Sequence, residues 1–186
     1  MNQEYFIAIV PPEPILSNIT AIKTELFQNY GSKGALRSPA HITLHMPFSW
    51  DDEKEEKLIS NLEAFQFNQK VEIELKNYDC FEPRVIFIST SENEQLKALQ
   101  KNLVQHCKKH LQLFNQADDM RGFHPHVTVA FRDLKKPVFY KIWEVYKDKN
   151  FNAQFISRHI CLMKNINDKW QVYKTFDFTR EINLIF

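Results

Sequence analysis

The chain contains 186 residues, of which 44% are hydrophobic and 25% are charged, a composition that predicts one globular domain spanning residues 1–186. Its 24 Lys and Arg residues nearly balance its 23 Asp and Glu residues, which disfavours a protein that binds polyanions with its whole surface. With three glycines the chain cannot form a GxGxxG dinucleotide loop or a GxxxxGK(S/T) phosphate loop, so we expect side chains to bind any phosphate group.

The sequence shows no sign of secretion or of a membrane anchor. Its three cysteines are odd in number and no CxxC pair occurs, which favours free thiols in a reducing compartment over disulfides or a cysteine zinc site. The first residues lack a basic segment, and no apolar stretch approaches the roughly 18 residues that cross a bilayer. We therefore expect a soluble cytoplasmic protein.

The spacing of apolar residues predicts alternating strands and helices. The predicted strands are 6–10, 41–46, 70–78, 85–88, 124–131, 155–163 and 170–178. The predicted helices are 14–30, 51–65, 91–113 and 137–147. Gly31 is expected to end the first helix, Ser91 and Glu94 resemble a capping box at the start of the third, and Asn167-Asp168 predict the turn of a closing hairpin.

One order of elements occurs twice along the chain. A short apolar strand, a helix, a polar loop and a strand that begins His-x-Thr follow one another over residues 6–46 and again over residues 85–131. This repetition predicts two similar halves, about 1–66 and 67–186. Two such halves can bring equivalent positions together across a shared cleft.

Each copy ends in a strand that contains the pattern His-x-Thr-x, with an apolar residue at each x. Because side chains at positions i and i+2 of a strand point to the same face, His41 shares a face with Thr43, and His126 shares a face with Thr128. The apolar residues of each motif take the opposite face, where helices can cover them. The two His and two Thr side chains are then free to face a cleft.

This set of side chains suits the cleavage of a phosphodiester without a metal. Imidazole titrates near neutrality, so one histidine can accept a proton from water while the other donates a proton to a leaving oxygen. Threonine hydroxyls can donate hydrogen bonds to phosphoryl oxygens as negative charge builds up on them. We therefore regard His41, Thr43, His126 and Thr128 as the candidate catalytic residues.

The chain resembles the two-histidine (2H) phosphoesterase superfamily, which includes the 2′-5′ RNA ligase-like proteins and the cyclic phosphodiesterases. Residues 6–12 are similar to the first strand of that family and its proline stop, and residues 41–44 and 123–130 are similar to its two signature HxTx strands. The resemblance implies a bilobal α+β fold. Its two pseudo-symmetric halves would carry mainly antiparallel sheets around a central cleft, with helices outside.

The resemblance also implies an activity: hydrolysis at 2′,3′-cyclic phosphates or 2′,5′-linked ends of RNA or nucleotides, with the reverse reaction, RNA ligation, left open. By analogy, His41 and His126 form the acid/base pair and Thr43 and Thr128 hold the phosphate. We assign His126 as the base and His41 as the acid, although near-symmetry leaves the reverse assignment open. The substrate would be a nucleotide or an RNA terminus, and no cofactor, metal, membrane or obligate protein partner is implied.

Four residues near the motifs are candidates for substrate binding. Phe48 follows the first motif and Phe123 precedes the second, where either ring could stack on a base at the cleft rim. Arg132, after the second motif, could neutralise a phosphate, although ordinary surface charge explains it equally well. His124 lies on the same predicted strand face as His126.

Two other functions compete with this interpretation. The same cleft could belong to a non-catalytic protein that binds nucleotides or RNA 3′ ends. Alternatively, His124 and His126, roughly 6.6 Å apart along a strand, could ligate zinc in a hydrolase. No HExxH pattern or nearby carboxylate supplies a third ligand, so the zinc site is disfavoured. His45 is too far along the strand from His41 to share a ligand, and we expect it to be a polar residue at a loop end.

Overall fold

The computed structural model describes residues 2–115 and 122–179, along which strands and helices alternate. The strands are β1 (Asn2–Ile9), β2 (Ile42–Asp51), β3 (Val71–Phe81), β4 (Val85–Thr90), β5 (His126–Ala130), β6 (Asn152–Ser157), β7 (His159–Ile166) and β8 (Lys169–Asp177). The helices are α1 (Ile15–Tyr30), α2 (Glu55–Glu63), α3 (Glu94–Leu111) and α4 (Lys136–Tyr146), with short 3-10 helices at Gly34–Arg37 and Asp52–Lys54. No helix within these residues is both long and apolar enough to cross a membrane.

The strands form one curled antiparallel sheet in the order β6-β3-β4-β5-β2-β1-β7-β8. The two His-x-Thr strands, β2 and β5, are the central strands, and they pair with each other at Ile42 and Val127. Four strands lie on each side of this junction. The final hairpin, β7–β8, extends the side of the sheet that contains β1, although its residues belong to the predicted second half, 67–186. The antiparallel sheet and its helices confirm the predicted α+β fold.

The main hydrophobic core lies on the helix-covered face of the sheet. α1 contacts β5 and α3 contacts β2, so the helix of each repeat packs against the His-x-Thr strand of the other repeat. The apolar motif residues Ile42, Leu44, Val127 and Val129 are at most 1% exposed and belong to this core. Burial of each such side chain contributes about 1.5–3 kcal/mol. This packing fixes the backbone of both motifs from behind.

Both central strands carry a β-bulge directly after the threonine of the motif. In β2 the extra residue is Leu44, and in β5 it is Val129, so the irregularity falls at the same place in each repeat. A bulge re-aims the side chains that follow it. His45 is consequently 1% exposed within β2, and the expectation of a polar residue at a loop end was wrong.

Several predicted boundaries also differ from the structure. α3 is capped by Asn93, whose side chain accepts a hydrogen bond from a backbone N–H of the first turn at 2.9 Å. Ser91 instead donates its hydroxyl hydrogen bond to the carboxylate of Glu74 on β3, so the expected capping box does not form. Residues 155–163 form two strands separated by Arg158, because the residues before it pair with β3 and those after it pair with β1 and β8.

A carboxylate joins the second helix to the sheet. β2 continues to Asp51, so α2 begins only at Glu55, later than the sequence predicted. The Glu55 carboxylate accepts hydrogen bonds from the hydroxyls of Tyr5 and Tyr173 and pairs with the ammonium of Lys164. Burial opposes ionisation here, but the hydrogen bonds from these three donors hold the pKa of Glu55 below its usual value.

Candidate active site

The four predicted catalytic side chains come from the junction of β2 and β5. Ile42 and Val127, the residues through which these strands pair, are fully buried on the helix side of the sheet. The residues on either side of them in each strand therefore point to the opposite face. The antiparallel register, continued by one residue each way, puts Thr43 beside His126 and His41 beside Thr128. All four side chains are partly exposed. The junction therefore relates the two motifs by an approximate two-fold axis.

Each histidine is oriented by a hydrogen bond to the backbone two residues earlier. Nδ1 of His41 lies 2.8 Å from the carbonyl oxygen of Pro39, and Nδ1 of His126 lies 2.7 Å from that of His124. Because a carbonyl oxygen can only accept, Nδ1 carries the hydrogen in both rings. Nε2 is then the atom that can take or give a proton.

An aromatic ring packs on each imidazole in nearly the same geometry. The Phe6 and His41 ring centres are 4.8 Å apart with an interplanar angle of 46°, and those of Phe87 and His126 are 4.7 Å apart at 47°. Both phenylalanines are buried, at 3% and 0% exposure. The sequence analysis missed them because a continuous apolar run does not reveal which face each residue takes. Both repeats have a Phe in their first strand, and this shared feature could have identified Phe6 and Phe87 as equivalent residues.

Burial makes both histidines weak bases. The pKa of His41 is lowered to about 4, and burial is the largest cause. The hydrogen bond to Pro39 raises the pKa, and the charges of Lys23 and His126 lower it further. The pKa of His126 is also lowered, chiefly by burial, and in part by the neighbouring charge of His124. The charge of His126 is among the causes that lower the His41 pKa, which agrees with the closeness of the two motifs at the strand junction. Without a bound anion, both rings are mostly neutral near pH 7.

A buried lysine supports the turn that leads into the first motif. Lys23 of α1 is 2% exposed, and its ammonium donates a hydrogen bond to the carbonyl oxygen of Ser38 at 3.1 Å. Burial lowers the pKa of Lys23 to about 8. Sequence analysis overlooked this residue, although it lies between Ile19 and Leu26 on the buried stripe of the helix. A charged residue on an apolar stripe was the signal that could have found it.

The loop before His41 is tied to the second repeat. The Asp133 carboxylate, beyond the end of β5, accepts hydrogen bonds from the backbone N–H groups of Lys33 at 2.7 Å and Gly34 at 3.0 Å. A Cβ atom on Gly34 would lie 2.1 Å from the carbonyl oxygen of Phe131, so only glycine fits this close approach. These contacts fix the loop of the first repeat against the strand of the second.

Of the four candidates for substrate binding, His124 is the one with a recorded ring contact to a motif histidine. Its exposed ring is 6.3 Å from that of His126 and 5.4 Å from that of Phe81, which is 37% exposed at the same edge. Phe48 and Phe123 pack against the main core.

Arg132 follows the end of β5, whereas His126 begins that strand. It has a φ of 69°, and its guanidinium lies 5.3 Å from the ring centre of Phe131. Among the described residues, no recorded contact links Arg132, Phe48 or Phe123 to the imidazoles of His41 and His126.

The side chains around the site do not form a metal-binding cluster. Within residues 2–115 and 122–179, no group of three or more His, Cys, Asp or Glu side chains could hold a metal ion. His124 and His126 therefore have no third ligand of these types in that part of the chain. What the site offers is two imidazoles with Nε2 available and two hydroxyls, which together can move protons and bind an anion.

Comparison with known proteins finds relatives that match nearly the whole chain. A candidate phosphoesterase of Oceanobacillus iheyensis is 27% identical over 182 residues, which cover 96% of this chain and 99% of the relative. A candidate phosphoesterase of Geobacillus kaustophilus is 28% identical over 178 residues, covering 93% of this chain and 95% of the relative.

Solved structures share the fold at low sequence identity. Escherichia coli LigT complexed with 3′-AMP superposes with a TM-score of 0.65 at 17% identity, covering 97% of this chain and all of that one (100%). A Thermus thermophilus protein gives a TM-score of 0.63 at 16% identity, covering 96% and 99% of the two chains. The family model of the 2′-5′ RNA ligase superfamily matches residues 11–169. The chain therefore belongs to the 2′-5′ RNA ligase superfamily.

Proposed function

We propose that this protein is a phosphoesterase that hydrolyses 2′,3′-cyclic phosphates or 2′,5′-linked ends of RNA or nucleotides by paired-histidine acid/base catalysis. One observation carries the proposal: two His-x-Thr motifs meet at a single strand junction, and each imidazole is held by the same type of Nδ1 hydrogen bond. On this register, we infer that the two Nε2 atoms and the two hydroxyls face one space. This combination of groups suits the in-line cleavage of a phosphate diester.

In the proposed reaction, a neutral imidazole accepts a proton from water at Nε2 as the water oxygen attacks phosphorus. The bond between phosphorus and the leaving ribose oxygen breaks, and the protonated second imidazole donates its Nε2 proton to that oxygen. The hydroxyls of Thr43 and Thr128 donate hydrogen bonds to the non-bridging oxygens. Ligation would need the hydroxyl of a second end, in place of water, to attack the cyclic phosphate. That hydroxyl would give its proton to the base imidazole, and the other imidazole would protonate the leaving ribose oxygen.

The electrostatics favour His41 as the base and His126 as the acid, which reverses the assignment preferred from the sequence. With a pKa of about 4, only about 0.1% of the His41 rings would be protonated at pH 7, so this ring is poorly suited to deliver a proton. The pKa of His126 is also lowered, but without the contribution that the charge of Lys23 makes at His41. The negative charge of a bound substrate would favour protonation of both rings, so His126 is the better candidate to hold the proton.

Relatives support a nucleotide substrate. Structures of E. coli LigT contain 3′-AMP, ATP, NADP+ or phosphate, and the relatives from Oceanobacillus and Geobacillus are named as candidate phosphoesterases. By inference from these proteins, the cleft of this chain binds a nucleotide or an RNA terminus. We further propose that residues 1–186 act as one domain, with the reaction at the junction of its two repeats.

The test is hydrolysis of adenosine 2′,3′-cyclic phosphate in excess chelator. His41→Ala and His126→Ala should each lower kcat/KM by about 100-fold or more, the usual contribution of a general acid or base. His110→Ala, a substitution of an exposed histidine on α3, is the matched control and should keep wild-type activity. Unchanged activity in either active-site variant would contradict the acid/base pair. Binding of cyclic and linear nucleotides without turnover would instead favour the non-catalytic nucleotide-binding protein.

A further inference from the structure

A cavity of about 460 Å³ lies between the first turns of α1, residues 36–39 and the start of β8. This volume is within the range of sites that bind small molecules. The lining residues that matter here are Leu16, Lys23, Pro39, Lys169 and Trp170.

The cavity borders the catalytic centre on the His41 side. Pro39, whose carbonyl oxygen accepts the Nδ1 hydrogen bond of His41, forms part of the cavity wall. The Trp170 ring, also in the wall, lies 4.7 Å from the Phe6 ring, which packs directly on His41. A ligand in the cavity would thus be separated from the catalytic imidazole by one layer of side chains.

The wall of the cavity carries more cationic than acidic side chains. It contains three cations, Lys23, Arg37 and Lys169, against a single acid, Glu13. Arg37 is already bound to Asp168, with its Nε donating to the backbone oxygen at 2.9 Å.

The buried ammonium of Lys23 has donors to spare. It has three protons to donate, and the carbonyl oxygen of Ser38 is its one hydrogen-bond partner among the described residues. A buried cation with unused donors beside an open cavity favours an anionic ligand.

We propose that this cavity binds the nucleoside phosphate unit adjacent to the one that reacts. The base would stack on Trp170, and the phosphate would accept hydrogen bonds from Lys23 and Lys169. The inference rests on the proposed function and extends it: the preferred substrate is a short oligonucleotide end and not a mononucleotide. The walls around His126, which contain Phe81 and His124, would contact the reacting nucleotide.

The test compares kcat/KM for adenosine 2′,3′-cyclic phosphate with kcat/KM for a diadenylate that ends in the same cyclic phosphate. We expect the wild-type protein to prefer the dinucleotide by about tenfold, the scale of one base stacked on an aromatic ring. Trp170→Ala and Lys169→Ala should bring this ratio toward one, whereas Trp170→Phe should keep most of it. Lys101→Ala, which removes an exposed lysine on α3, is the matched charge control and should keep the full ratio.

A calorimetric measurement separates this inference from the proposed function. Diadenylate and adenylate, each with a terminal 3′-phosphate, are titrated into the wild-type protein and Trp170→Ala. If neither cyclic phosphate is hydrolysed but the dinucleotide binds about tenfold more tightly in a Trp170-dependent manner, the cavity is upheld and the proposed reaction fails. If the dinucleotide has no advantage in turnover or in binding, or if the advantage survives in Trp170→Ala, the cavity assignment is overturned.

Discussion

Replacement of Lys23 by methionine tests whether His41 acts as the base. The ammonium of Lys23 is one of the charges that lower the pKa of His41. Methionine keeps an unbranched apolar chain of similar length in the buried position and removes the charge. The pKa of His41 should therefore rise in the variant. Because a base must be unprotonated to act, the acidic limb of the pH profile of kcat/KM should move to higher pH.

The size of the effect follows from the causes of the lowered pKa. Burial is the largest cause of the fall of the His41 pKa from 6.5 to about 4, and the charge of Lys23 is a smaller one. Lys23, with a pKa of about 8, is fully protonated across the acidic limb and exerts its whole effect there. We expect the limb to move from near pH 4 upward by roughly 0.3–1 pH unit.

The assay is kcat/KM for a 2′,3′-cyclic nucleotide between about pH 3.5 and 8, a range that spans the acidic limb and neutrality, with thermal unfolding followed at each pH. Lys33→Met, which removes an exposed lysine from the loop after α1, is the matched control and should leave the limb in place. A shift of the alkaline limb alone in Lys23→Met, or no shift at all in a folded variant, would refute the assignment of His41 as the base.

Three further predictions concern the site and its scaffold. Thr128→Val should lower kcat/KM by about 10- to 100-fold with little change in stability, because it removes one hydrogen bond to the phosphoryl group; equal kinetics would contradict a phosphate contact. Glu55→Gln should lower the free energy of unfolding by about 2 kcal/mol at pH 7, since three donors lose a charged acceptor. The wild-type carboxylate has a lowered pKa, so this difference should vanish as acid protonates it. The control is Glu94, an exposed residue that forms an ion pair with Lys97. Glu94→Gln should lower the free energy of unfolding, measured by chemical denaturation, by less than about 0.5 kcal/mol. Gly34→Ala should destabilise the protein by about 1–3 kcal/mol in the same assay, because its Cβ would meet a backbone oxygen at 2.1 Å; a neutral result would show that the loop can move away.

The sequence was sufficient to predict the elements that carry the motifs and the face on which their polar residues lie. The period-two pattern around His41 and His126 depends only on local backbone geometry, and the strands follow it up to Thr43 and Thr128. Beyond the threonines the bulges reverse the pattern, and a bulge depends on the partner strand. The burial of His45 could therefore not be predicted from its neighbours in the chain.

Long-range packing accounts for the rest of what the sequence analysis missed. Phe6 and Phe87 are both members of apolar runs, and only the curl of the sheet decides that they contact imidazoles. Trp170 reaches the site through Phe6, a residue from the opposite end of the chain. Lys23 differs, because a charged residue on the apolar stripe of a helix can be recognised as unusual from the sequence alone.

The matched Nδ1 bonds of His41 and His126 are nearly equal in length, at 2.8 and 2.7 Å. These two hydrogen bonds are alike, so they do not distinguish the two rings or fix the direction in which a diester would enter. In the proposed reaction, the direction of cleavage would then depend on the unlike surroundings of the two rings: Lys23 and Trp170 lie on one flank, and Phe81 lies on the other. Substitutions in these flanking residues, with the two His and two Thr side chains unchanged, would then be expected to change the regiochemistry of the reaction.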